Sequence, residues 1–499
     1  MKKQPHKYDF ALVFCPRWGV NTPWTASGHL LEAVRSRGLT AQYLDYNVRL
    51  FHTTGVPELW EDNSYHLYWK TQPLDYFLKR IDLREISAPI VGFSLTDSNL
   101  RFSITLARKL REIRPDVKIV FGGHRIFFPE DPGDGVPLDA CDVIVKGEGE
   151  LTLLDILENG IHDNPGTYTQ RNGKWEFNGE RPLIDKLDMF PWPRYEDVNW
   201  RMFPGRAVSI MGSRGCIFDC SFCNDIIRAG HRYRRRSAEH IAEEMLHHKD
   251  RYRRDYAIFA DPLMNGHFPG FDELCEILLK RQYGGQWAGN LAIRANMPKE
   301  LLTKARRAGL DAAILGLECG SPRVLKLMRK RFTVEEAECF IAALHEADIS
   351  IDLNIIVGFP GETEEDFRQT LDFLTKIAPK LRQVTSVATF NLDHSYLWNH
   401  LAEYDIVRHE HDRHITWHTA DNSNTYEIRL QRAQRLIRHL AELGVQHARF
   451  DADIERADNL ASIRRLQFRR KKLLLKHYTK KALQHTGILA PLMKLKNIA

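Results

Sequence analysis

Three cysteines stand close together near the middle of the chain, in the run Arg214-Gly215-Cys216-Ile217-Phe218-Asp219-Cys220-Ser221-Phe222-Cys223. Their C-x3-C-x2-C spacing gathers three thiolates in one short loop, and thiolate is the soft ligand found at iron–sulfur sites. Three protein ligands leave one iron of a four-iron cubane open to a small molecule. The spacing therefore predicts a [4Fe–4S] cluster at which a reaction takes place.

Two other interpretations of these cysteines remain. A zinc site would need a fourth Cys or His, for which His231 is the close candidate. The cysteines could also be buried structural thiols. Their position just after a glycine-containing turn favours the open cluster.

The loop and its context resemble the radical S-adenosylmethionine (SAM) superfamily, in which the open iron holds the amino and carboxylate groups of SAM. Two later motifs carry the same resemblance, Gly316-Leu317-Glu318-Cys319-Gly320-Ser321 and Gly358-Phe359-Pro360-Gly361-Glu362-Thr363. The resemblance implies that Cys216, Cys220 and Cys223 are the cluster ligands. It also implies SAM contacts at Phe222, Asp261, Arg294, Glu318, Asn354 and Gly358.

Some of these residues have structural alternatives. Phe222 is equally suited to shield a cluster from solvent, and Arg294 could be an ion-pair partner instead of a SAM ligand. Asp261 is a single carboxylate where the family has a Gly-Gly-Glu motif. Cys319 replaces the family's serine, and we expect it to be a small packing residue.

Six strand-like runs alternate with helical patterns from Arg206 onward, over 206–212, 256–261, 287–295, 312–318, 350–358 and 383–390. Six repeats of strand and helix predict a partial (β/α)6 barrel, open where an eight-unit barrel would close. Sites in such sheets lie at the carboxyl ends of the strands. The cysteine loop follows the first of these runs.

The first 155 residues show a second alternation, with predicted strands at 8–14, 41–44, 90–95, 118–121 and 142–145. This pattern predicts an α/β domain with a doubly wound, Rossmann-like parallel sheet. Two of its motifs are Thr22-Pro23-Trp24…Arg37-Gly38 and Gly147-Glu148-Gly149-Glu150. With these motifs the domain resembles the cobalamin-binding domain that is fused to many radical SAM enzymes. The implied cobalamin contacts are Arg17, Trp18, Ser94, Thr96, Gly122, Gly123 and Glu148. The alternative for the two glycines is a tight strand-to-helix turn.

One departure concerns the lower face of the cofactor. Many cobalamin domains carry Asp-x-His-x-x-Gly after the first strand, but the matching loop here, 15–21, has no histidine. Arg17 or Trp18 is expected to fill that face by packing, whereas His29 and His124 are expected to be structural. A domain that keeps the fold but has lost the cofactor is the alternative.

Length and composition limit the number of domains and the cellular location that we expect. The chain has 499 residues, 43% of them hydrophobic, and eight cysteines, which suits a reducing compartment better than a disulfide framework. No apolar run is long enough for a signal peptide or a membrane span, so a cytoplasmic location is expected. We predict a cobalamin-binding-like domain at 1–155, a linker at 156–205, the barrel at 206–395 and a basic helical region at 396–499.

Two segments bear on specificity and partners. The loop after the sixth strand contains Asp393, His394 and Tyr396, which could position substrate or move a proton; a solvated loop is the alternative. From Ala461 onward there are 11 Lys or Arg and no Asp or Glu, so the other 460 residues carry a net charge of about −5. An amphipathic basic helix there favours peripheral contact with a membrane as the first functional interpretation. An acidic partner or a leader peptide is the next, and nucleic acid is not expected as a partner. A solvated helical face is the plain alternative.

The resemblance implies a cobalamin-dependent radical SAM methyltransferase. It would act on an unactivated carbon or phosphorus centre of a small molecule, lipid or peptide, through a 5′-deoxyadenosyl radical and methylcobalamin. A flavodoxin- or ferredoxin-type donor would reduce the cluster. A radical SAM cyclase or rearrangement enzyme that does not use methylcobalamin is one alternative. A non-catalytic iron–sulfur and cobalamin sensor with a basic tail is the other.

Overall fold

The computed structural model describes residues 6–16, 18–54, 74–124, 126, 136–225, 232–392, 395–408 and 415–447, together with scattered positions between 464 and 483. Arg17, His231, Asp393 and His394 lie outside the described residues, so the expectations placed on them stay predictions. Most of the basic tail also lies outside, although exposed helical residues such as Phe468 and Leu475 are described.

The first sheet begins with five parallel strands, β1 (Phe10–Phe14), β2 (Ala41–Asp45), β3 (Ile90–Ser94), β4 (Lys118–Gly122) and β5 (Val143–Val145). Their order is β2-β1-β3-β4-β5. This is a doubly wound order whose direction reverses between β1 and β3, and ligands of such sheets bind in the crevice at that switch point. The predicted Rossmann-like domain is confirmed.

Helices cover both faces of this sheet because successive strand residues point to opposite sides. Phe10, Leu12 and Phe14 pack with α1 (Thr25–Ser36), whereas Ala11 and Val13 share an apolar cluster with the helix at Leu100–Ile113. The helices are α1, α2 (Tyr46–Thr54), α3 (Asp75–Leu78), α4 (Leu100–Ile113) and α5 (Gly149–Asn159). A strand buried on both sides is a continuous apolar run, which is why β1 was recognisable in the sequence.

A hairpin extends the first sheet beyond β5. Strands β6 (Thr167–Arg171) and β7 (Lys174–Phe177) pair antiparallel, and β6 also pairs with β5. Asn172 and Gly173 connect them with φ of 50° and 74°, the conformation that an Asn-Gly hairpin turn requires. Part of the range predicted as a linker, 156–205, therefore belongs to the first sheet.

The remaining strands of the described chain are β8 (Ala207–Ile210), β9 (Ser213–Arg214), β10 (Arg234–Arg235), β11 (Tyr256–Phe259), β12 (Gln286–Leu291), β13 (Leu310–Glu318), β14 (Ser350–Val357), β15 (Gln383–Thr389), β16 (Ile406–Val407), β17 (His418–Thr419) and β18 (Gln446–His447). Seven of them form the second sheet, which is parallel throughout, in the order β18-β15-β14-β13-β12-β11-β8. The six predicted strands are present, and the predicted partial barrel is confirmed. The short strand β18, within the range predicted as a separate helical region, adds a seventh at the edge.

The helices of this half are α6 (Ala238–Tyr252), α7 (Phe268–Lys280), α8 (Lys299–Arg307), α9 (Pro322–Leu327), α10 (Val334–Glu346), α11 (Glu364–Ile377) and α12 (Tyr426–Glu442). Side-chain caps define several starts: Thr333 and Thr363 each form a capping box with an acidic residue three positions on. A large apolar core lies between these helices and the sheet. Within the described part of the chain, no helix is both long and apolar enough to cross a membrane.

Candidate active site

The two ends of the cysteine loop lie next to each other in the fold. It begins after β9 and ends before β10, and these two strands pair antiparallel, with Arg214 opposite Arg234 and Ser213 opposite Arg235. Because β9 follows β8 after a two-residue turn, the ribbon lies at the carboxyl end of the second sheet. The position predicted for the loop is the one observed.

Both arginines of this ribbon are held by carboxylates of the first domain. Glu148 Oε1 lies 3.1 Å from Arg214 Nη1 and 2.9 Å from Arg234 Nη2, and Arg214 also pairs with Glu150. The second oxygen of Glu148 accepts hydrogen bonds from the Ile184 amide at 2.7 Å and from Arg234 at 3.0 Å. We call this group, Glu148, Glu150, Arg214 and Arg234, the loop clamp.

The loop clamp gives Glu148 a structural role that the sequence did not indicate, while its contact with cobalamin stays a prediction. The sequence placed this residue among the cobalamin contacts, but both of its oxygens are engaged by arginines and a backbone amide. The clamp therefore ties the first domain to the base of the cysteine loop. Sequence reasoning missed Arg214 and Arg234, because nothing in their local pattern indicates a partner more than 60 residues away.

Burial and mutual charge control the ionisation of the clamp. Burial opposes the charged form of Arg214, but Glu150 and Glu148 outweigh it and raise the pKa of Arg214. Burial likewise opposes ionisation of Glu150, yet Arg214 holds the pKa of Glu150 below its usual value. His29, on α1, is also close: burial, assisted by the charge of Arg214, lowers the pKa of His29 to about 4. A neutral His29 beside the clamp fits the structural role expected for it.

The three thiols of the loop are partly buried. Burial raises the pKa of Cys216 and Cys220, and raises that of Cys223 to about 12, whereas the Lys330 cation opposes the shift at Cys216 and Cys220. Among the described residues, no three His, Cys, Asp or Glu side chains converge as the ligands of one metal ion would. In a cubane each thiolate binds a different iron, so its ligands stand farther apart than those of a single zinc ion.

Lys330 is a site residue that sequence reasoning missed. Its Nζ donates to Gly316 O at 2.9 Å and to Glu318 Oε1 at 3.1 Å, and it lies 5.3 Å from the centre of the Phe222 ring. Glu318 ends β13 at a register shift with φ of 69°, which turns its side chain away from the regular strand direction. Glu318, Phe222 and the cysteines are thus brought together around one largely buried cation.

Asp261 supports the turn that leads into the ribbon. Its two oxygens accept from the Gly212 amide at 2.7 Å and the Ser213 hydroxyl at 2.6 Å, and burial raises its pKa to about 7. The side chain is buried at the end of β11. Its contact with the SAM amino group stays a prediction, and what the structure shows is a residue that positions the start of the cysteine loop.

Arg294 and Asn354 are engaged with neighbouring groups. Arg294 Nη1 donates to the carbonyls of Asn265 at 2.9 Å and Gly266 at 3.2 Å, and its guanidinium lies 3.9 Å from the centre of the Phe268 ring. No carboxylate partner of Arg294 occurs among the described residues, so the ion-pair alternative finds no support there. Asn354 Oδ1 accepts from the Thr385 hydroxyl at 2.8 Å.

Gly358 is required by the packing of Arg429. Its φ is 75°, and a Cβ atom would come within 2.2 Å of Arg429 Cγ. Arg429 is completely buried, with its guanidinium 3.8 Å from the centre of the Trp417 ring. Gly358 is therefore needed for the packing of the chain itself. A contact between Gly358 and SAM stays a prediction.

The switch point of the first sheet carries two indoles and two hydroxyl groups. Trp24 Nε1 donates to Ser94 Oγ at 3.0 Å and stacks on Phe14, while Trp18 meets Trp24 edge-on at 4.6 Å. Thr96 is buried next to this group. Trp18 remains 41% exposed, which leaves an apolar face at the crevice where a ligand of such a sheet would lie.

The paired glycines after β4 fit their plain alternative, a tight turn. A Cβ on Gly123, whose φ is 110°, would come within 2.8 Å of the Leu95 backbone, and one on Gly122 within 3.3 Å of Val145. The chain's own backbone and packing therefore account for both. By contrast, a Cβ on Gly19 or Gly147 would have nothing within 4 Å, so these two glycines border open space.

Of the three candidate residues in the loop after the sixth predicted strand, Asp393, His394 and Tyr396, the structure describes Tyr396. Its ring stacks on His400 at 3.7 Å, the Arg329 guanidinium lies 3.6 Å from its centre, and its hydroxyl donates to Glu403. The next residue, Leu397, donates its amide to Ser221 O at 3.1 Å. This segment thus braces the cysteine loop, and a proton-transfer role for Tyr396 stays a prediction.

Comparison with known proteins identifies the central third of the chain. Residues 210–374 match the Radical SAM superfamily. The chain carries a radical SAM domain. The match spans the cysteine loop, Glu318 and the Gly358 turn, and so supports the resemblance on which those assignments rest.

The curated relatives that this chain matches are named as enzymes. An uncharacterized methyltransferase of Pyrococcus horikoshii is 29% identical over 317 residues, which cover 61% of this chain and 67% of the relative. The anaerobic magnesium-protoporphyrin IX monomethyl ester cyclase of Rubrivivax gelatinosus is 29% identical over 52% of this chain, which spans about half (49%) of that cyclase. The radical SAM domain and these relatives identify the chain as an enzyme.

The fold is shared over both domains with a solved structure. The radical SAM methyltransferase TsrM of Kitasatospora setae, solved with cobalamin and a [4Fe–4S] cluster bound, superposes with a TM-score of 0.64 over 79% of this chain and 74% of TsrM. Sequence identity is 17%, so the similarity establishes a common architecture.

Proposed function

We propose that the protein is a cobalamin-dependent radical SAM methyltransferase. The observation that carries this proposal is the loop clamp, through which the sheet expected to bind cobalamin holds the base of the loop expected to bind the cluster. A domain that shares a site with the cluster loop must contact that loop, and the clamp is such a contact. The methyltransferase relatives and the shared architecture with TsrM support the same reaction class.

The residues present fit an iron–sulfur cluster and SAM. Three thiols are available in one loop, with the Lys330 cation close enough to favour their ionised forms at Cys216 and Cys220. When bound, the cluster would supply an electron to SAM, whose cleavage yields a carbon radical. The chain's part is to hold the cysteine loop through Asp261 and the clamp, and to place Glu318 and Phe222 beside it.

The residues at the switch point also fit a large flat cofactor. The exposed indole of Trp18, backed by Trp24, offers an apolar face, and Gly19 and Gly147 have no atom within 4 Å of where a Cβ would stand, so no side chain there blocks the approach of a ligand. Bound cobalamin would carry the methyl group that is transferred. Since the β1 loop has no histidine, Trp18 would cover the lower face by packing and not by cobalt ligation.

The test is anaerobic reconstitution with iron, sulfide and hydroxocobalamin, followed by SAM and titanium(III) citrate. We expect 5′-deoxyadenosine by mass spectrometry and cobalamin that stays with the protein through gel filtration. Trp18→Ala should lower cobalamin retention, while Tyr76→Ala, which removes another exposed aromatic ring of the first domain, should not. Absence of 5′-deoxyadenosine would refute the radical SAM activity, and absence of cobalamin uptake would refute the methyltransferase assignment.

A cyclase is the second candidate, favoured by the similarity to the magnesium-protoporphyrin ester cyclase. The two candidate activities can be distinguished by incubating the enzyme and a cell extract with SAM that carries a deuterated methyl group. A methyltransferase gives a product that contains the label, whereas a cyclase gives a product without it. The same experiment identifies the substrate, which we propose to be a small molecule with an unactivated carbon or phosphorus centre.

A further inference from the structure

A groove of about 510 Å³ lies beside the cysteine loop. Asp219, which lies between the first and second cysteines, forms one wall, and α9 with the turn that follows it forms the other. Lys326 and Arg331 on that wall are exposed to solvent, and Lys330 reaches from the groove towards the thiols. We call this the basic groove, with Asp219, Lys326, Arg329 and Arg331 as its charged residues.

The basic groove has an excess of positive charge. The segment 319–334 contains five Lys or Arg and no Asp or Glu. Three of these cations have carboxylate partners: Arg323 pairs with Asp366, Lys330 with Glu318, and Arg331 with Asp219. In the described part of the chain, Lys326 and Arg329 pair with no carboxylate, and Arg329 instead stacks on Tyr396. Two uncompensated cations thus face the groove.

The wall of the groove is joined directly to the cysteine loop. Ser221, between the second and third cysteines, donates its amide to Met328 O at 3.0 Å and its hydroxyl to Leu327 O at 3.1 Å. Ile217, in the same loop, is 44% exposed. Asp219 is the residue of the described part of the loop that lines the groove itself.

A cluster in this loop needs an electron from another molecule. The other five cysteines do not form a second loop of this kind: Cys15 and Cys141 belong to the first domain, whereas Cys275, Cys319 and Cys339 lie on α7, after β13 and on α10 of the second. We propose that the basic groove docks an acidic one-electron carrier protein that reduces the cluster. This rests on the proposed radical SAM function. The carrier is oxidised by one electron and the cluster is reduced by one, and no atom is transferred.

Electrostatic complementarity is the physical basis of the docking. A positive patch attracts an acidic partner and raises the association rate, and this contribution falls as salt screens the charges. Lys326 is suited to the test because it lies on the groove and makes no contact with the thiols, Glu318 or the clamp. Lys280, an exposed lysine at the end of α7, provides the matched control.

The experiment measures binding of a fluorescently labelled acidic flavodoxin to the reconstituted full-length protein. Lys326→Glu should weaken binding about fivefold at low salt, the effect of reversing one interfacial charge. The difference should vanish at high salt, and Lys280→Glu should bind as the wild type does. Lys326→Gln, a milder change, should lie between the two. Equal binding by Lys326→Glu and Lys280→Glu would overturn the proposal.

A second measurement separates this proposal from the proposed function. With titanium(III) citrate as reductant, Lys326→Glu should form 5′-deoxyadenosine at the wild-type rate, whereas with limiting reduced flavodoxin it should need a higher flavodoxin concentration. An equal loss with both reductants would mean damage to the site and would overturn the docking assignment. If the wild type forms no 5′-deoxyadenosine with titanium(III) citrate, the radical SAM function fails, and the binding data alone decide whether the groove recognises acidic carriers.

Discussion

At the scale of single residues, the chemistry depends on a few groups whose surroundings are unusual. Three partly buried thiols face a largely buried lysine, and that lysine also neutralises Glu318. Burial raises the pKa of all three thiols, and the Lys330 cation opposes this shift at Cys216 and Cys220, in the direction of the thiolates that iron requires. The arrangement makes Lys330 as much a part of the site as the cysteines are.

The ligand assignment has a direct test at this scale. Cys220→Ala should abolish the visible absorption of the reconstituted cluster, because two thiolates from this loop cannot hold a cubane. Cys339→Ala removes an exposed cysteine on α10 and should leave the absorption unchanged. Full iron content in Cys220→Ala would contradict the assignment.

Sequence reasoning was strong for these residues where spacing carried the signal. C-x3-C-x2-C located the loop, and the Glu318 motif located the end of β13. It did not indicate the arginine partners of Glu148, because a carboxylate in a glycine-rich turn has the same local pattern whether it meets a cofactor or an arginine of another domain. It missed Lys330 because the basic run 329–331 resembles a solvated surface.

At the scale of elements, turns that follow strands are fixed by packing that is invisible in the sequence. The predicted strands lie within a few residues of the observed ones, since buried parallel strands are continuous apolar runs. Ribbon β9–β10 and edge strand β18 were not predicted. Each of these strands has two residues, too few for a periodic pattern, and forms only because a partner strand is present.

The turn after β14 offers a prediction about that packing. Gly358→Ala should lower the free energy of unfolding by roughly 1 kcal/mol for the left-handed backbone and by a further 1–3 kcal/mol, roughly, for overpacking against Arg429. Gly173→Ala has almost the same φ but open space around the added methyl, so it should cost only the first contribution. Urea denaturation of the two variants makes the comparison. Equal losses would show that the Arg429 contact is not limiting.

Helix α6 carries a buried carboxylate that links stability to pH. Burial opposes ionisation of Glu244, but Arg236 and His248 lower its pKa to about 2. A carboxylate with a lowered folded-state pKa contributes stability above its unfolded pKa of about 4.5, and loses it as pH falls towards 2. The contribution is roughly 3 kcal/mol.

Glu244→Gln should therefore be less stable than the wild type near neutral pH, and the gap should narrow between pH 4.5 and the acid limit of folding. Chemical denaturation at several pH values measures it. Glu243→Gln, a change at the exposed neighbour on the same helix, should run parallel to the wild type throughout. A gap that stays constant with pH would contradict the assigned linkage.

At the scale of the whole molecule, charged groups that cross between the two domains join them at the cysteine loop. The order of domains was predictable from the two alternating patterns, and the radical SAM match agrees with it. How the domains meet was not predictable, since the contact depends on three-dimensional neighbours such as Glu148 and Arg234.

The contact predicts an effect of one domain on the other. Glu148→Gln leaves two largely buried arginines without full compensation, and breaking a buried ion pair in this way costs about 3–5 kcal/mol. Hydrogen exchange should increase in peptides that contain β9 and β10, although the substitution lies in the first domain. Glu158→Gln, near the exposed end of α5, should leave exchange at the ribbon unchanged. Exchange confined to residues around 148 would contradict a coupling role for the clamp.

The loop clamp also has a consequence for how the metal centre is assembled. Bringing the ends of a flexible loop together costs conformational entropy, which an unconstrained chain would have to lose when iron arrives. Here the pairing of β9 with β10 and the carboxylates of the first domain hold those ends together through contacts that involve none of the three cysteines. The three cysteines lie between these fixed ends, so less conformational entropy remains to be lost when they converge on a cluster. The first domain thereby lowers the entropic cost of loading the metal centre, although it supplies none of the three thiols.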